Sequence, residues 1–280
     1  MRPREALRLP VRLRASQGLL AVAALLVGVL ALGPFLYVLS ASLKPTGSLF
    51  QYPPQWIPAE PYLGNFTRLV RRDFPAWTLN TLVVAGTVTF FKLWFDSMAA
   101  YAFAKLRFPG KRPLLGLMLL TIMVPPIALI VPLFFMVRDL GGLNTYWALI
   151  IPPMANPIGI FMLRGFIQAL PDELEAAARV DGASPLRTYF SIVLPVIKPG
   201  LVVVGLYTFL LQYTNFIWPL VIAPEKPLLT TGLASLKGLF SPDWGLISAG
   251  SLLAMVPITI VFLVFQRAFV GASMAAAIKG

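Results

Sequence analysis

Residues 171–200 read PDELEAAARVDGASPLRTYFSIVLPVIKPG, and long apolar runs flank them on both sides. Pro171 suits the first turn of a helix, where its missing N–H costs nothing. Asp172, Glu173 and Glu175 then sit near the positive end of the helix dipole. Gly182 suits the position just past a helix C-terminus. Ser184 followed by Pro185 is an N-cap with a first-turn proline, so a second short helix starts there. The stretch is predicted to form two short helices joined by a tight turn, outside lipid. Leu174, Ala177, Ala178 and Asp181 share one side at i, i+3, i+4, i+7 spacing. That side is small and mildly apolar, which lets another protein approach closely.

What lies outside this hairpin is greasy. The chain has 280 residues and is 58% hydrophobic, where a soluble domain has about 45–50% apolar residues. An all-α integral membrane protein is therefore expected. Six spans fit the apolar runs, at about 18–37, 78–104, 113–137, 146–163, 200–222 and 246–265, within a single domain covering 1–280. Each is near the ~20 residues that cross a bilayer core. The first run follows Arg2, Arg4, Arg8, Arg12 and Arg14. It is longer than the roughly 7–15 apolar residues of a signal peptide, so it is read as a retained span. Of the 23 Lys and Arg residues, 15 fall in segments that this layout makes cytoplasmic and 7 in external ones. Lys92 falls inside a span. The bias puts both termini in the cytoplasm. It also accounts for the net charge of +12 without nucleic acid.

Several residues stand out within the spans. Lys92 and Asp96 are four apart near the middle of the second, so they are expected to face the protein interior and pair. Prolines 125, 126 and 132 in the third span, and 152, 153 and 157 in the fourth, kink their helices. Asn156 in the fourth and Gln212, Tyr213 and Asn215 in the fifth supply hydrogen-bonding groups beside an aromatic ring. A polar solute needs such groups along its path. Helix–helix hydrogen bonding is the competing use for them. Pro219 is expected to break the fifth span near its outer end. The loop 223–245 is a candidate re-entrant segment around Trp244. The proline-rich loop 38–77 reads as a cap or a platform for a soluble partner.

The combination Glu175-Ala176-Ala177, Asp181-Gly182 and Ile192-Val193-Leu194-Pro195 resembles the "EAA" signature of permease subunits of binding-protein-dependent ABC importers. YAFAKLRFPGKR (101–112), NFIWPL (215–220) and the tail QRAFVGASMAAAIKG (266–280) are similar to the carbohydrate, maltose-type branch. Tyr213-Thr214 and Gly271-Ala272 depart from its pattern. The likeness runs from about Leu30 to Gly280. It implies a type I importer permease in a bacterial or archaeal cytoplasmic (inner) membrane. It makes 171–199 the coupling hairpin, with Glu175, Ala176, Ala177, Asp181 and Gly182 engaging an ATPase subunit. The implied partners are a second homologous permease, two ATPase subunits and an extracytoplasmic solute-binding protein. The implied cargo is a small polar solute, favoured as a sugar, oligosaccharide or glycerol phosphate. The tail is a further candidate contact to the ATPase pair.

No cofactor site is expected in this chain. It has no His and no Cys, which removes the commonest general base and metal ligands. No G-x-x-x-x-G-K-[ST] occurs, so ATP and Mg are expected on the partner subunits. An enzyme active site is not expected. An ion-gradient transporter or channel subunit without an ATPase is the competing class, and Lys92 and Asp96 are its only attraction.

Overall fold

The computed structural model describes residues 11–53, 55–238 and 242–277, and every regular element among them is helical. α1 (Val11–Ser42) leads through a 3-10 turn (Thr46–Ser48) to α2 (Gly64–Val70) and the long α3 (Phe74–Lys105). α4 (Lys111–Ile122) and α5 (Pro126–Asp139) follow, then α6 (Tyr146–Met154) and α7 (Ile158–Gln168). The hairpin comprises α8 (Asp172–Val180), α9 (Pro185–Thr188), a π turn (Tyr189–Val193) and α10 (Leu194–Val196). α11 (Lys198–Tyr213), α12 (Ile217–Ile222), α13 (Leu229–Ser235) and α14 (Trp244–Ala277) complete the chain. The first ten residues, with Arg2, Arg4 and Arg8 of the basic cluster, and residues 278–280 of the tail lie outside the described residues.

Three stretches are long and apolar enough to cross a bilayer unaided: Gln17–Ser42, Phe74–Lys105 and Trp244–Gln266. Three bent helix pairs are apolar and long enough when each is taken as one span, which allows up to six crossings among the described residues. The third expected span is more than kinked: α4 and α5 meet at 99°. Their 12 and 14 residues rise about 18 and about 21 Å, so neither half reaches across a core of ~30 Å. The break sits where Pro125 holds an extended conformation and Pro126 restarts the helix. The fourth span bends by 46° between α6 and α7.

The fifth span departs most from expectation. It begins in the hairpin's second arm, with Pro185–Val196 meeting Lys198–Tyr213 at 77°. That arm is not a short surface helix, because Tyr189 and Val193 are buried with Leu163 and Ile167. α11 ends at Tyr213, six residues before the proline expected to break it. The segment after α12 is not a loop around Trp244. It contains α13, and Trp244 opens the last helix.

α3 is the mast of the fold. It supplies Val84 and Val88 to one apolar cluster, Ala100 and Tyr101 to a second, and Phe74 and Trp77 to a third. By contrast, no residue of α4 or of the spanning window of α1 is buried, although α1 lies along α14. The faces they leave open have lipid or another subunit to meet.

At the Phe74 end of α3, a polar clasp closes the loop. Asn65 is buried and donates from its amide to the carbonyls of Ser42 (2.9 Å) and Lys44 (2.8 Å). Asp243, just before α14, accepts from Thr46, from Arg68 and from the Leu246 N–H (3.1 Å). Partial burial pushes the Asp243 carboxyl up, but Thr46, the Leu246 N–H and Arg68 together hold it below the usual carboxylate range. A carboxyl with a depressed folded pKa stabilises above its ordinary pKa and loses that contribution as pH falls through the folded one. Asp243→Asn is therefore expected to lower thermal stability at pH 7 by about 1 kcal/mol. The gap to the parent should narrow as pH drops below about 4. A gap that stays constant at acid pH would show that the charge is not what holds the clasp.

Candidate functional site: the hairpin and its anchorage

Both ends of α8 are built by local sequence. Asp172, Glu173 and Glu175 occupy the first turn and Arg179 the last, each complementing the dipole. At the other end Gly182 has φ +73°, the left-handed conformation. Its N–H bonds the Arg179 carbonyl (3.0 Å), and the Ala183 N–H bonds the Ala178 carbonyl (2.9 Å). These two bonds satisfy carbonyls that the helix end leaves free, the Schellman arrangement. No atom crowds a Cβ at Gly182, so only the backbone conformation demands glycine there. Ser184 caps the second arm by accepting from the Arg187 N–H at 3.3 Å.

The expected docking side is split by the structure. Leu174 and Ala177 face outward, but Ala178 is 3% exposed and turned into the chain. Val180, which the spacing did not single out, is 88% exposed and takes the outer place. Ala176, Asp181 and Gly182 are exposed. Glu175 is buried at 8% exposure. One carboxylate oxygen reaches Arg179 at 3.5 Å; the other is buried without a partner among the described residues. So the acid of the signature points inward.

The hairpin is tied to α3 by a residue that carries no motif. Lys105, the last residue of α3, is itself nearly buried. Its amine donates to the Leu170 carbonyl (2.8 Å) and to Asp172 (2.5 Å). The hydrogen bond and charge of Lys105 hold the exposed Asp172 carboxyl below the usual range. Deeper in, the Tyr189 and Ser97 hydroxyls are 2.7 Å apart, and the Tyr189 and Tyr101 rings pack at 5.6 Å. In the π turn the Leu194 N–H reaches the Tyr189 carbonyl. That extra residue per turn swings Tyr189 onto α3.

The remaining candidates fall in two places. Lys92 and Asp96 pair at 2.6 Å with side chains 6% exposed. Lys92 also donates to the carbonyl of Asn156, while the Asn156 side chain accepts from the Ile158 N–H (2.9 Å). Asn156 thus caps α7 and supports the break, and its amide oxygen is not free for a solute. Tyr213 is buried and its hydroxyl donates to the Ala254 carbonyl at 2.7 Å, binding α11 to α14. That is the helix–helix use. Gln212 and Asn215 are half-buried at the break after α11, and their side chains have no hydrogen-bond partner among the described residues. They are the polar pair left open at that point.

Lys105→Met is expected to release the first arm selectively. Amide exchange across 171–183 should accelerate while 189–196, held by buried Tyr189 and Val193, keeps its protection. Equal protection in both arms would mean that Lys105 does not anchor the hairpin.

Known proteins resemble this chain along most of its length. The trehalose transport system permease protein SugB of Mycobacterium tuberculosis is 34% identical, over 89% of this chain and 93% of its own. The arabinooligosaccharides transport system permease protein AraQ of Halalkalibacterium halodurans is 32% identical, over 94% of this chain and 96% of its own. The sn-glycerol-3-phosphate transport system permease protein UgpE of Shigella flexneri is 36% identical, over 70% of this chain and 72% of its own. The fold matches a chain in the crystal structure of a bacterial ABC transporter involved in the import of the acidic polysaccharide alginate. The TM-score is 0.77 at 23% identity, covering 91% of this chain and 98% of that one. Residues 97–272, which hold the hairpin and its anchorage, match the family described as binding-protein-dependent transport system inner membrane component, and the chain belongs to that family.

Proposed function

We propose that this chain is the permease subunit of an ATP-driven importer for a carbohydrate-class solute: a sugar, an oligosaccharide or a glycerol phosphate. Family membership supplies the transport role, and the three named relatives serve trehalose, arabinooligosaccharides and sn-glycerol-3-phosphate. The observation that carries the energetic part is the hairpin. It is a charged helix with an exposed apolar edge at Leu174 and Val180, closed at its C-terminus by Gly182 and anchored from within by Lys105. A rigid, anchored knob of this kind suits a socket on a moving partner. The partner is an ATPase subunit, one of two. ATP and Mg bind there, and the chemistry of hydrolysis stays there. In this reading both termini and the hairpin are cytoplasmic. A second permease covers the exposed faces of α1 and α4, and an extracytoplasmic binding protein meets the far side.

The cycle is mechanical. Closure of the ATPase dimer displaces the hairpin. Lys105 and the buried contacts of Tyr189 carry that displacement into the membrane. The bent spans then swing between inward-open and outward-open forms. Nucleotide drives the change by binding one form better than the other. Glu175 is buried inside the chain and pairs with Arg179 of its own helix, while Ala176, Ala177 and Asp181 face the socket. Gln212 and Asn215 are the proposed solute contacts of this subunit.

Gly182→Ile tests the hairpin. The variant has room for its side chain but a β-branched residue resists positive φ, at a cost of about 1–2 kcal/mol. In the reconstituted importer, ATP hydrolysis should continue while uptake falls. Uptake and hydrolysis both unchanged would overturn the coupling role. Gln212→Ala with Asn215→Ala is expected to weaken uptake affinity about tenfold or more, as lost polar contacts do. Unchanged affinity would assign the solute contacts elsewhere.

A further inference from the structure

We infer that Lys92 and Asp96 are positioning residues that fasten α7 to α3, making a single lever whose hinge is the break at residues 155–157. The fastening runs the length of α7. At its start, the Lys92 amine carries the Asn156 carbonyl, which the interrupted helix leaves free. One turn on, Asp96 lies against Gly159, where a Cβ would overlap the carboxylate. Further along, Arg164 donates to the Phe103 carbonyl at 3.3 Å. Just past α7, Lys105 holds the Leu170 carbonyl. Four polar or close contacts thus join α7 and its flanking residues to α3, over an apolar seam of Ala100, Leu163 and Ile167.

The hinge is built differently. Pro152 and Pro153 lie in the last turns of α6 and Pro157 stands before α7. Only 46° separates the two axes. Proline removes the N–H groups that would bind the break tightly, so the two halves are joined loosely in their own chain. Lys92 grips the α7 side of that break. Its amine is buried, and its charge is balanced by Asp96 on the same helix. An unbalanced charge at that depth would be costly. The pair therefore keeps the lever's end stiff without adding net charge to the membrane. A displacement arriving at the hairpin end of α7 then reaches the break undiminished, and α6 turns against the lever. This rests on the hairpin being the driven element.

The chain has no cysteine of its own, which allows a direct test in the complete importer in proteoliposomes. Lys92→Met with Asp96→Asn removes the grip on Asn156 without leaving a buried charge. Solute moved per ATP hydrolysed should fall roughly tenfold, the factor that one charge-assisted hydrogen bond supplies. The ATPase rate should be retained. The second variant replaces the ionic fastening with a covalent one: Lys92→Met, Asp96→Cys and Gly159→Cys. The Asp96 Cγ, where a cysteine sulfur would sit, lies 3.1 Å from a Cβ placed on Gly159, which leaves room for the two Cβ atoms to take the roughly 3.8 Å separation of a disulfide. Oxidation should restore the ratio to within about twofold of the parent, and reduction should lower it again, as a two-state lever requires. An unchanged ratio in the neutral pair would overturn the inference. So would an oxidised form that stops transport and recovers on reduction, since α3 and α7 would then have to separate. If the neutral pair fails to accumulate in the membrane, the cross-linked variant decides alone. Gly182→Ile is measured alongside. If the hairpin reading fails, that variant transports and hydrolyses normally. If only the lever fails, it still uncouples.

Discussion

A helix broken inside a bilayer leaves carbonyls and N–H groups that no water reaches, and each must find a partner within the protein. This chain breaks its helices repeatedly, and its layout follows from how the breaks are satisfied. At the α6–α7 break, the Asn156 side chain takes the Ile158 N–H and Lys92 takes the Asn156 carbonyl. After α11, the Asn215 N–H turns back to Gln212 (3.3 Å), and Thr230 of α13 donates to the Asn215 carbonyl (2.7 Å). Between α4 and α5, the Met123 and Val124 N–H groups close on Leu120 and Thr121, and Ala128 closes on Pro125. Each solution recruits a neighbouring element or tightens the turn. The bends are therefore defined joints.

Those joints surround one unbroken helix. α3 contributes to all three apolar clusters, and its two ends meet different polar assemblies. Near Phe74, the loop is closed through Asn65 and Asp243. At Lys105, the hairpin is tied down. Each assembly gathers backbone carbonyls onto a side chain held by packing, which gives fixed geometry at the two surfaces where other proteins act in the proposed importer. Between them lies the Lys92–Asp96 pair. A buried pair is weak evidence of net stability. Its value here is positional, because it pins the Asn156 carbonyl at the bend of the fourth crossing.

Much of this was legible in the sequence. The hairpin's caps could be read because they are local: Gly182 and Ser184 act on groups within a few residues. The Lys92–Asp96 pair could be read because four-residue spacing on a helix fixes the contact and lipid penalises the alternative. The rest required tertiary information. Proline announces a break, but the angle depends on what fills the gap, so a predicted kink became a 99° corner between α4 and α5. Val180 rather than Ala178 faces outward because α8 is held by Lys105, which lies some seventy residues away in sequence. Tyr213 looked like a solute contact until the Ala254 carbonyl came beside it. The second arm looked like a surface helix because its π turn, which brings Tyr189 onto α3, has no sequence signature.

The decisive measurement is site-directed cross-linking in the complete importer, using the absence of native cysteine. A cysteine placed by Val180→Cys on the outer side of α8 should cross-link to the ATPase subunit, with a yield that changes when ATP is added. A cysteine placed by Leu63→Cys, exposed by the opposite end of α3, should not. If Val180→Cys reaches no ATPase subunit in any nucleotide state, or Leu63→Cys does instead, the hairpin is not where force enters this protein.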